Sequence, residues 1–253
     1  DTGRRIVPST TRRASHRSEG TLMNTLGTET EPLAPIAPDR RGPGSLWAWT
    51  GAVAGLAGVV GIQASMAMSA AYNERTAGNA VAIMTEFAGQ RTAMLVMHLT
   101  LMVSTTLLLV FAAGLQRRLR AGTPEFSLVP TVAAFGLVLT SIATLMGTGL
   151  DTELLFGLGN TDRMVPEVAV FASHWMGTIP WLWVGAGVSG IAVAVAALRH
   201  RAAPRWIGWA SVVLGGLTLL LGISPLQYMA GFTGPVWVLV AGVGFALADR
   251  RAR

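Results

Sequence analysis

The sequence predicts an all-α membrane protein, a polytopic integral bundle of six transmembrane helices. Hydrophobic residues make up 51% of the 253 residues and charged residues only 13%, about half the charged fraction of a typical soluble domain. Several apolar stretches without Asp, Glu, Lys or Arg are long enough, at roughly 20 residues, to cross the hydrocarbon core as helices. Because these stretches are continuous rather than alternating, they argue against a β-barrel.

Six apolar stretches follow one another along the chain as the predicted spans. They cover about Leu46–Ala71, Thr92–Leu115, Leu128–Leu150, Val168–Leu198, Trp206–Ser224 and Tyr228–Ala248. The fourth is longer than a bilayer requires, so we expect Pro180 to kink it or its first turns to lie in the membrane interface. Together they form a predicted six-helix transmembrane domain over residues 46–248, with no soluble domain.

The arginines predict the orientation of the bundle. The net charge of +6 is concentrated at residues 40–41, 117–120, 199–205 and 249–253, whereas the loops at 72–91 and 151–167 are acidic or mixed. This alternation follows the positive-inside rule, so we expect both termini to be cytoplasmic in a bacterial cytoplasmic membrane. The expected partner of the basic ends is therefore the lipid bilayer, and no nucleic-acid partner is predicted.

The two ends of the chain are predicted to lie outside the bundle. Residues 1–45 are rich in Pro, Gly, Thr and charged side chains and are expected to form a disordered cytoplasmic tail. Residues 1–22 have two interpretations: a basic arm on anionic headgroups, or a mis-called start preceding true initiation at Met23. Residues 249–253 are predicted to form a basic cytoplasmic C-terminus.

Glycines predict how the spans associate. Of the 30 glycines, clusters lie in the first and fourth spans at Gly51, Gly55, Gly58, Gly185, Gly187 and Gly190. Small residues let helix backbones approach closely in lipid, and we expect them to pack within one bundle rather than in a homodimer. The GVSG segment resembles the rhomboid-protease motif, but the sixth span has no histidine to serve as base. Ser189 is therefore predicted to be a packing residue, and the oligomeric state is not predicted.

A few polar residues inside or beside the spans form a candidate site at the outer surface. His98 and His174 each lie about seven or eight residues inside a span, which places both at about 10 Å below the same surface. The full set of candidates is His98, His174, Gln63, Thr148, Thr178 and Trp181, with Asp151 and Glu153 at the rim. Thr178 and Trp181 share a helix face with His174, at spacings of four and seven residues.

Three interpretations of these candidates remain open. The histidines form structural hydrogen bonds between helices, or they line a pocket for a small or lipid-like ligand, or His98 and His174 are the axial ligands of haem b. No Asp or Glu lies inside a predicted span, which disfavours an ion-driven pump. Cysteine is absent, which excludes thiolate metal sites and thiol nucleophiles.

The chain from Leu46 onward resembles a group of multi-pass integral membrane proteins of GC-rich actinobacteria. The segments that carry the resemblance include LLLVFAAGLQRRLRAG, GTGLDTELLFGLGN, HWMGTIPWLWVGAG and the terminal ALADRRAR. The resemblance implies six helices and assigns no activity, catalytic residue or cofactor.

The sequence thus predicts a multi-pass cytoplasmic-membrane protein with a non-enzymatic role. The leading hypothesis is an outward-facing polar pocket for a small or lipid-like ligand, or a supporting role for a partner protein. The alternative is a haem b-binding redox protein that uses His98 and His174. Apart from that alternative, no cofactor and no metal are predicted.

Overall fold

The computed structural model describes residues 44–251, and every regular element in that range is a helix. The α-helices are Leu46–Met66 (α1), Ala80–Gly89 (α2), Arg91–Arg120 (α3), Val129–Gly147 (α4), Asp151–Gly157 (α5), Pro166–Met176 (α6), Val184–Leu198 (α7), Arg205–Ala210 (α8), Gly216–Gly222 (α9) and Ala230–Arg251 (α10). The prediction of an all-α chain is confirmed for these residues. The expectations for residues 1–43 and 252–253 lie outside them.

Within residues 44–251, six segments are long and apolar enough to cross a membrane. They are Leu46–Met66, Arg91–Arg120, Val129–Gly157, Pro166–Leu198, Arg205–Gly222 and Gln227–Arg251. Each coincides with one predicted span. The third and fourth segments each combine two helices, and the fifth joins α8 to α9 through a single π-helical turn. The chain is therefore a multi-pass helical protein suited to a membrane by the length and composition of its helices.

One end of the bundle is held together by a partly buried ion pair. Arg118 Nε donates to Asp249 Oδ1 at 3.0 Å and Arg118 Nη1 donates to the Ala202 carbonyl at 2.9 Å. Trp47 Nε1 donates to the other carboxylate oxygen of Asp249 at 3.2 Å. These contacts join the start of α1, the ends of α3 and α10 and the connection before α8. We call this the arginine-rich end, and the other the opposite end.

The glycines of α1 pack against α10. A Cβ at Gly55 would collide with the Leu239 backbone, and a Cβ at Gly242 would collide with the Ala52 backbone. Such contacts bring two helices together at backbone distance, which supplies the van der Waals packing that lipid cannot drive. The small residues of the first span are therefore used inside the bundle.

The glycines of α7 serve the same purpose against two other neighbours. Gly185 lies against the Gly136 carbonyl of α4, and Gly190 lies against the Cα of Gly215 in the π-helical turn. Ser189, between them, donates to the Ala133 carbonyl of α4 at 2.6 Å. Ser189 is thus a buried packing residue, as its flanking glycines suggest.

The fourth segment is two helices rather than one. Pro180 lacks the backbone N–H that would continue α6, and α6 ends at Met176 while α7 begins at Val184. Carbonyls freed by such a break must find donors in an apolar environment. Ser65 Oγ donates to the Met176 carbonyl at 2.8 Å, and Trp183 Nε1 donates to the Pro180 carbonyl at 3.0 Å. α7 alone is about 22 Å long, which is shorter than the hydrocarbon core of a bilayer. The residues of α6 and of the break therefore supply the rest of the fourth segment's length.

The short helices α2, α5 and α6 form a layer at the opposite end. They follow or precede the ends of α1, α3 and α4, and α2 packs on α6. A second apolar core lies beneath them, separate from the main core of the bundle. It contains five buried methionines, Met68, Met84, Met94, Met97 and Met176. Flexible thioether side chains fill irregular gaps well, which suits a layer built from short helices at varied angles.

The close contact at Gly55 predicts a strong position dependence for glycine replacement. Gly55→Ala puts a methyl group against the α10 backbone, whereas a Cβ at Gly89 meets nothing within 4 Å. We expect Gly55→Ala to lower the free energy of unfolding by about 1–3 kcal/mol, as overpacking does. Gly89→Ala is the matched control and should change stability little.

Thermal unfolding of the purified variants in detergent measures both effects. Equal midpoints for Gly55→Ala and Gly89→Ala would show that α1 and α10 do not approach at backbone distance.

Candidate functional site

A cavity of about 490 Å³ lies at the opposite end, between α1, the break in the fourth segment and the start of α10. Its lining is Ser65, Met66, Met68, Ser69, Tyr72, Gly177, Trp181, Tyr228, Met229 and Phe232. We call it the aromatic cavity. None of these side chains is charged, and both tyrosines of the chain are among them. Its chemistry is therefore apolar and aromatic, with hydroxyl groups as its polar component.

One hydroxyl fixes the wall of the aromatic cavity. Ser65 Oγ, on α1, accepts a hydrogen bond from Trp181 Nε1 at 3.0 Å while it donates to the Met176 carbonyl at 2.8 Å. The Trp181 ring is buried and meets Phe232 of α10 edge to face, with 4.9 Å between ring centroids. Ser65 therefore ties the break after α6 to α1, and the tryptophan it holds becomes a rigid aromatic face.

Close approach of the backbone also shapes this cavity. A Cβ at Gly177 would lie 2.5 Å from the Tyr72 hydroxyl, and a Cβ at Gly231 would lie 2.8 Å from the Trp181 ring. A side chain at either glycine would therefore displace the aromatic ring that rests on it. Tyr72 remains 57% exposed, so it forms the rim rather than the floor.

A second polar feature of this end is the pair His98 and Asp151. Nδ1 of His98 lies 3.3 Å from Oδ2 of Asp151. The Asp151 side chain is fully buried, and its Oδ1 has no hydrogen-bond partner among the described residues. Asp151 was expected at an exposed rim, but α5 begins at this residue and folds its carboxylate inward onto α3. A carboxylate is thus buried beside a histidine at the end of the third span.

This pair is one of several polar contacts between the antiparallel helices α3 and α4 and their extensions. Seven residues closer to the arginine-rich end on both sides, Thr105 Oγ1 and Thr144 Oγ1 are 2.8 Å apart. Nearer the arginine-rich end, Gln116 Nε2 donates to Thr131 Oγ1 at 3.4 Å. Ser141 Oγ of α4 donates to the Thr105 carbonyl at 2.9 Å beside the second contact. Between there and the third contact, the buried residues include the apolar Leu108 and Leu137. The polar contacts are therefore separate rungs rather than a continuous polar path.

His174 lies in different surroundings from His98. Its ring packs edge-on against Tyr72, with 5.3 Å between centroids, and it lines a separate cavity of about 510 Å³ beside Glu167 and Phe171. His98 instead faces Asp151 across the α3–α5 contact. The two histidines thus have different partners.

The other predicted site residues are distributed over several environments. Gln63 and Glu153 are exposed, and Glu153 lines a cavity of about 520 Å³ beyond α5. Thr148 donates to the Leu145 carbonyl at 3.0 Å, and Thr178 donates to the His174 carbonyl at 2.8 Å. These two hydroxyls donate to backbone carbonyls of the preceding turn of their own helices. Of the predicted set, Trp181 is the residue that lines the aromatic cavity.

Sequence reasoning missed Ser65, Tyr72, Tyr228 and Phe232. The sequence did contain a signal for the tyrosines, the only two in the chain. Tyr72 follows the first predicted span and Tyr228 begins the sixth, so both lie at the predicted outer surface, and aromatic residues prefer the membrane interface. Ser65 gives no such signal, because its role depends on which helix faces it. Among the described residues, no group of three or more His, Asp or Glu is placed to hold a metal ion.

The buried carboxylate predicts a stability difference between the two histidines. His98→Leu leaves the buried Asp151 side chain without its partner, and an unsatisfied buried polar group costs about 1–3 kcal/mol of unfolding free energy. His174→Leu, at an exposed histidine, is the matched control and should have little effect. The double variant His98→Leu/Asp151→Leu should recover most of the loss, since apolar replacement of both partners leaves no buried polar group unsatisfied.

Equilibrium unfolding in detergent at neutral pH measures this cycle. A double variant as unstable as His98→Leu alone would contradict an energetic pairing of the two side chains.

Comparison with known proteins leaves this site without a characterised counterpart. No family model matches the chain, and no curated protein or solved structure is significantly similar to it. The resemblance to actinobacterial membrane proteins thus stays a prediction. The chemistry of the aromatic cavity has to be inferred from its own residues.

Proposed function

We propose that this multi-pass membrane protein binds a small apolar or lipid-like ligand in the aromatic cavity. The observation that carries the proposal is the cavity itself, about 490 Å³ in volume and walled by Trp181, Phe232 and the two tyrosines. Pockets for small molecules usually measure about 300–1,000 Å³ and combine apolar walls with a few polar groups. The cavity has that size and that composition.

The lining limits what the ligand can be. Because no lining side chain is charged, a phosphate or carboxylate inside the cavity would have no ionic partner and would lose its hydration. Ser65 is already occupied by Trp181 and Met176, which leaves the hydroxyls of Ser69, Tyr72 and Tyr228 for hydrogen bonding. The ligand that fits is an apolar chain or ring system with a single uncharged polar group near the rim.

A binding role without catalysis agrees with the surroundings of the reactive side chains. Ser189 is used in helix packing, and His98 faces Asp151. The haem b alternative stays a prediction, and the different neighbours of His98 and His174 do not favour it. A supporting role for a partner protein is the remaining alternative, and no described contact points to a particular partner.

We further propose that the protein lies in a bacterial cytoplasmic membrane with both termini in the cytoplasm. Support comes from the basic residues gathered at one end of the bundle, as the positive-inside rule requires. In that orientation the aromatic cavity faces the outer side of the membrane. A ligand would then enter from the outer leaflet or from outside the cell.

The absence of cysteine makes this orientation directly testable. Asn160→Cys introduces a thiol at an exposed position of the opposite end, and Glu125→Cys introduces one in the exposed loop at the arginine-rich end. In intact cells, a membrane-impermeant maleimide should label the first variant only. After permeabilisation both should react. Labelling of the Glu125 variant alone in intact cells would reverse the orientation.

A volume-filling substitution tests ligand binding. Met66 lines the aromatic cavity and is 51% exposed, whereas Met146, 52% exposed, ends α4 outside its lining. The probe is a 16-carbon alcohol that carries a photoreactive diazirine and an alkyne. The wild type should be labelled saturably, because a cavity has a finite capacity. Met66→Trp should reduce that saturable component at least about fivefold, since a bulky indole occupies the space.

The matched control is Met146→Trp, which adds the same indole outside the cavity and should leave saturable labelling unchanged. Peptide mapping should locate the label near residues 65–72 and 228–232. Labelling that never saturates, or that Met66→Trp leaves intact, would show that the cavity is an ordinary lipid-contacting surface and not a ligand site.

A further inference from the structure

A second apolar groove lies near the arginine-rich end, between α7 and the fifth segment. It has a volume of about 340 Å³ and is lined by Ile191, Ala194, Val195, Leu198, Arg199 and Val212. We call it the α7 groove. It is separate from the aromatic cavity in both position and lining, and Arg199 is its only charged residue.

The groove exists because α7 and the fifth segment touch at glycines and separate between them. Gly190 meets Gly215 at one contact, and Gly208 meets Leu198 at the other. Between these contacts lies the π-helical turn of residues 211–215, which leaves Val212 37% exposed. A π turn widens a helix locally, so the two helices enclose a depression that side chains do not fill.

The dimensions of the groove match an acyl chain. From Ile191 to Arg199 the helix rises about 12 Å, which is most of the roughly 15 Å depth of one leaflet's hydrocarbon. The walls are aliphatic and run along the helix axis, as a lipid tail does. Exposed tryptophans at positions 206 and 209, 50% and 62% accessible, lie at the same end, where such residues mark the membrane interface.

The charge at the end of the groove selects the headgroup. Arg199 is exposed, and Arg201 and Arg205 follow within the same short connection. Within residues 44–251, the arginine that pairs with a carboxylate is Arg118, so no described carboxylate neutralises Arg199. A guanidinium at this depth is placed to bind a phosphate from the adjoining leaflet.

We propose that the α7 groove is a binding site for an anionic phospholipid. One acyl chain lies along Ile191–Leu198, and Arg199 binds the headgroup phosphate. A glycerol headgroup adds no positive charge, whereas choline carries one that opposes the arginine. The site therefore prefers phosphatidylglycerol to phosphatidylcholine.

Native mass spectrometry of the full chain tests this preference. The protein is released from micelles that contain equimolar phosphatidylglycerol and phosphatidylcholine with identical acyl chains. The wild type should retain the anionic lipid about fivefold over the zwitterionic one, the effect expected of one arginine near the headgroup. Arg199→Gln should abolish the preference, and Arg199→Lys should keep it.

Two further variants separate a specific site from a generally basic surface. Arg120→Gln removes an exposed arginine of α3 at the same end and should leave the preference intact. Val195→Trp fills the groove and should remove one retained lipid of either headgroup. Equal retention of both lipids by the wild type, or an equal loss of preference in Arg120→Gln and Arg199→Gln, would overturn the proposal.

Discussion

The arrangement of the bundle depends on helix backbones that approach each other closely at glycine. Lipid tails are as apolar as leucine, so burial from water does not drive these helices together, and close packing has to do so. α1 meets α10 at Gly55, and α7 meets α4 and the fifth segment at Gly185 and Gly190. The α7 groove borders the Gly190–Gly215 contact, because helices that touch at one glycine diverge on either side of it.

The bundle was largely predictable because a continuous apolar run of sufficient length identifies a membrane-spanning helix. Continuous apolar runs gave all six segments, and the glycine clusters indicated packing that is found inside the bundle. The break at Pro180 was predictable as a kink but not as two helices, since its extent depends on Ser65 supplying a donor to Met176. The helix α2 was missed because ten residues are too few to distinguish an end layer from a loop.

The candidate site was much less predictable than the spans. Depth along a helix follows from counting residues, but the direction in which each side chain points depends on the rotation of every helix about its axis. Residue counting therefore placed His98 and His174 at one depth but left open whether they face each other, and in the structure they contact Asp151 and Tyr72 respectively. Asp151 looked like a rim residue because its burial is produced by the turn from α4 into α5, which leaves no periodic pattern in the sequence.

The polar rungs between α3 and α4 have a consequence for how the bundle avoids misassembly. A smooth apolar interface permits one helix to slide along another at little cost. Here the His98–Asp151 pair and the Thr105–Thr144 pair lie seven residues apart on each side of the helical hairpin. A slip of one turn would separate both pairs at once and leave buried polar atoms unpartnered. The polar pairs thus fix the axial register of α3 against α4, much as a buried asparagine sets register in a coiled coil.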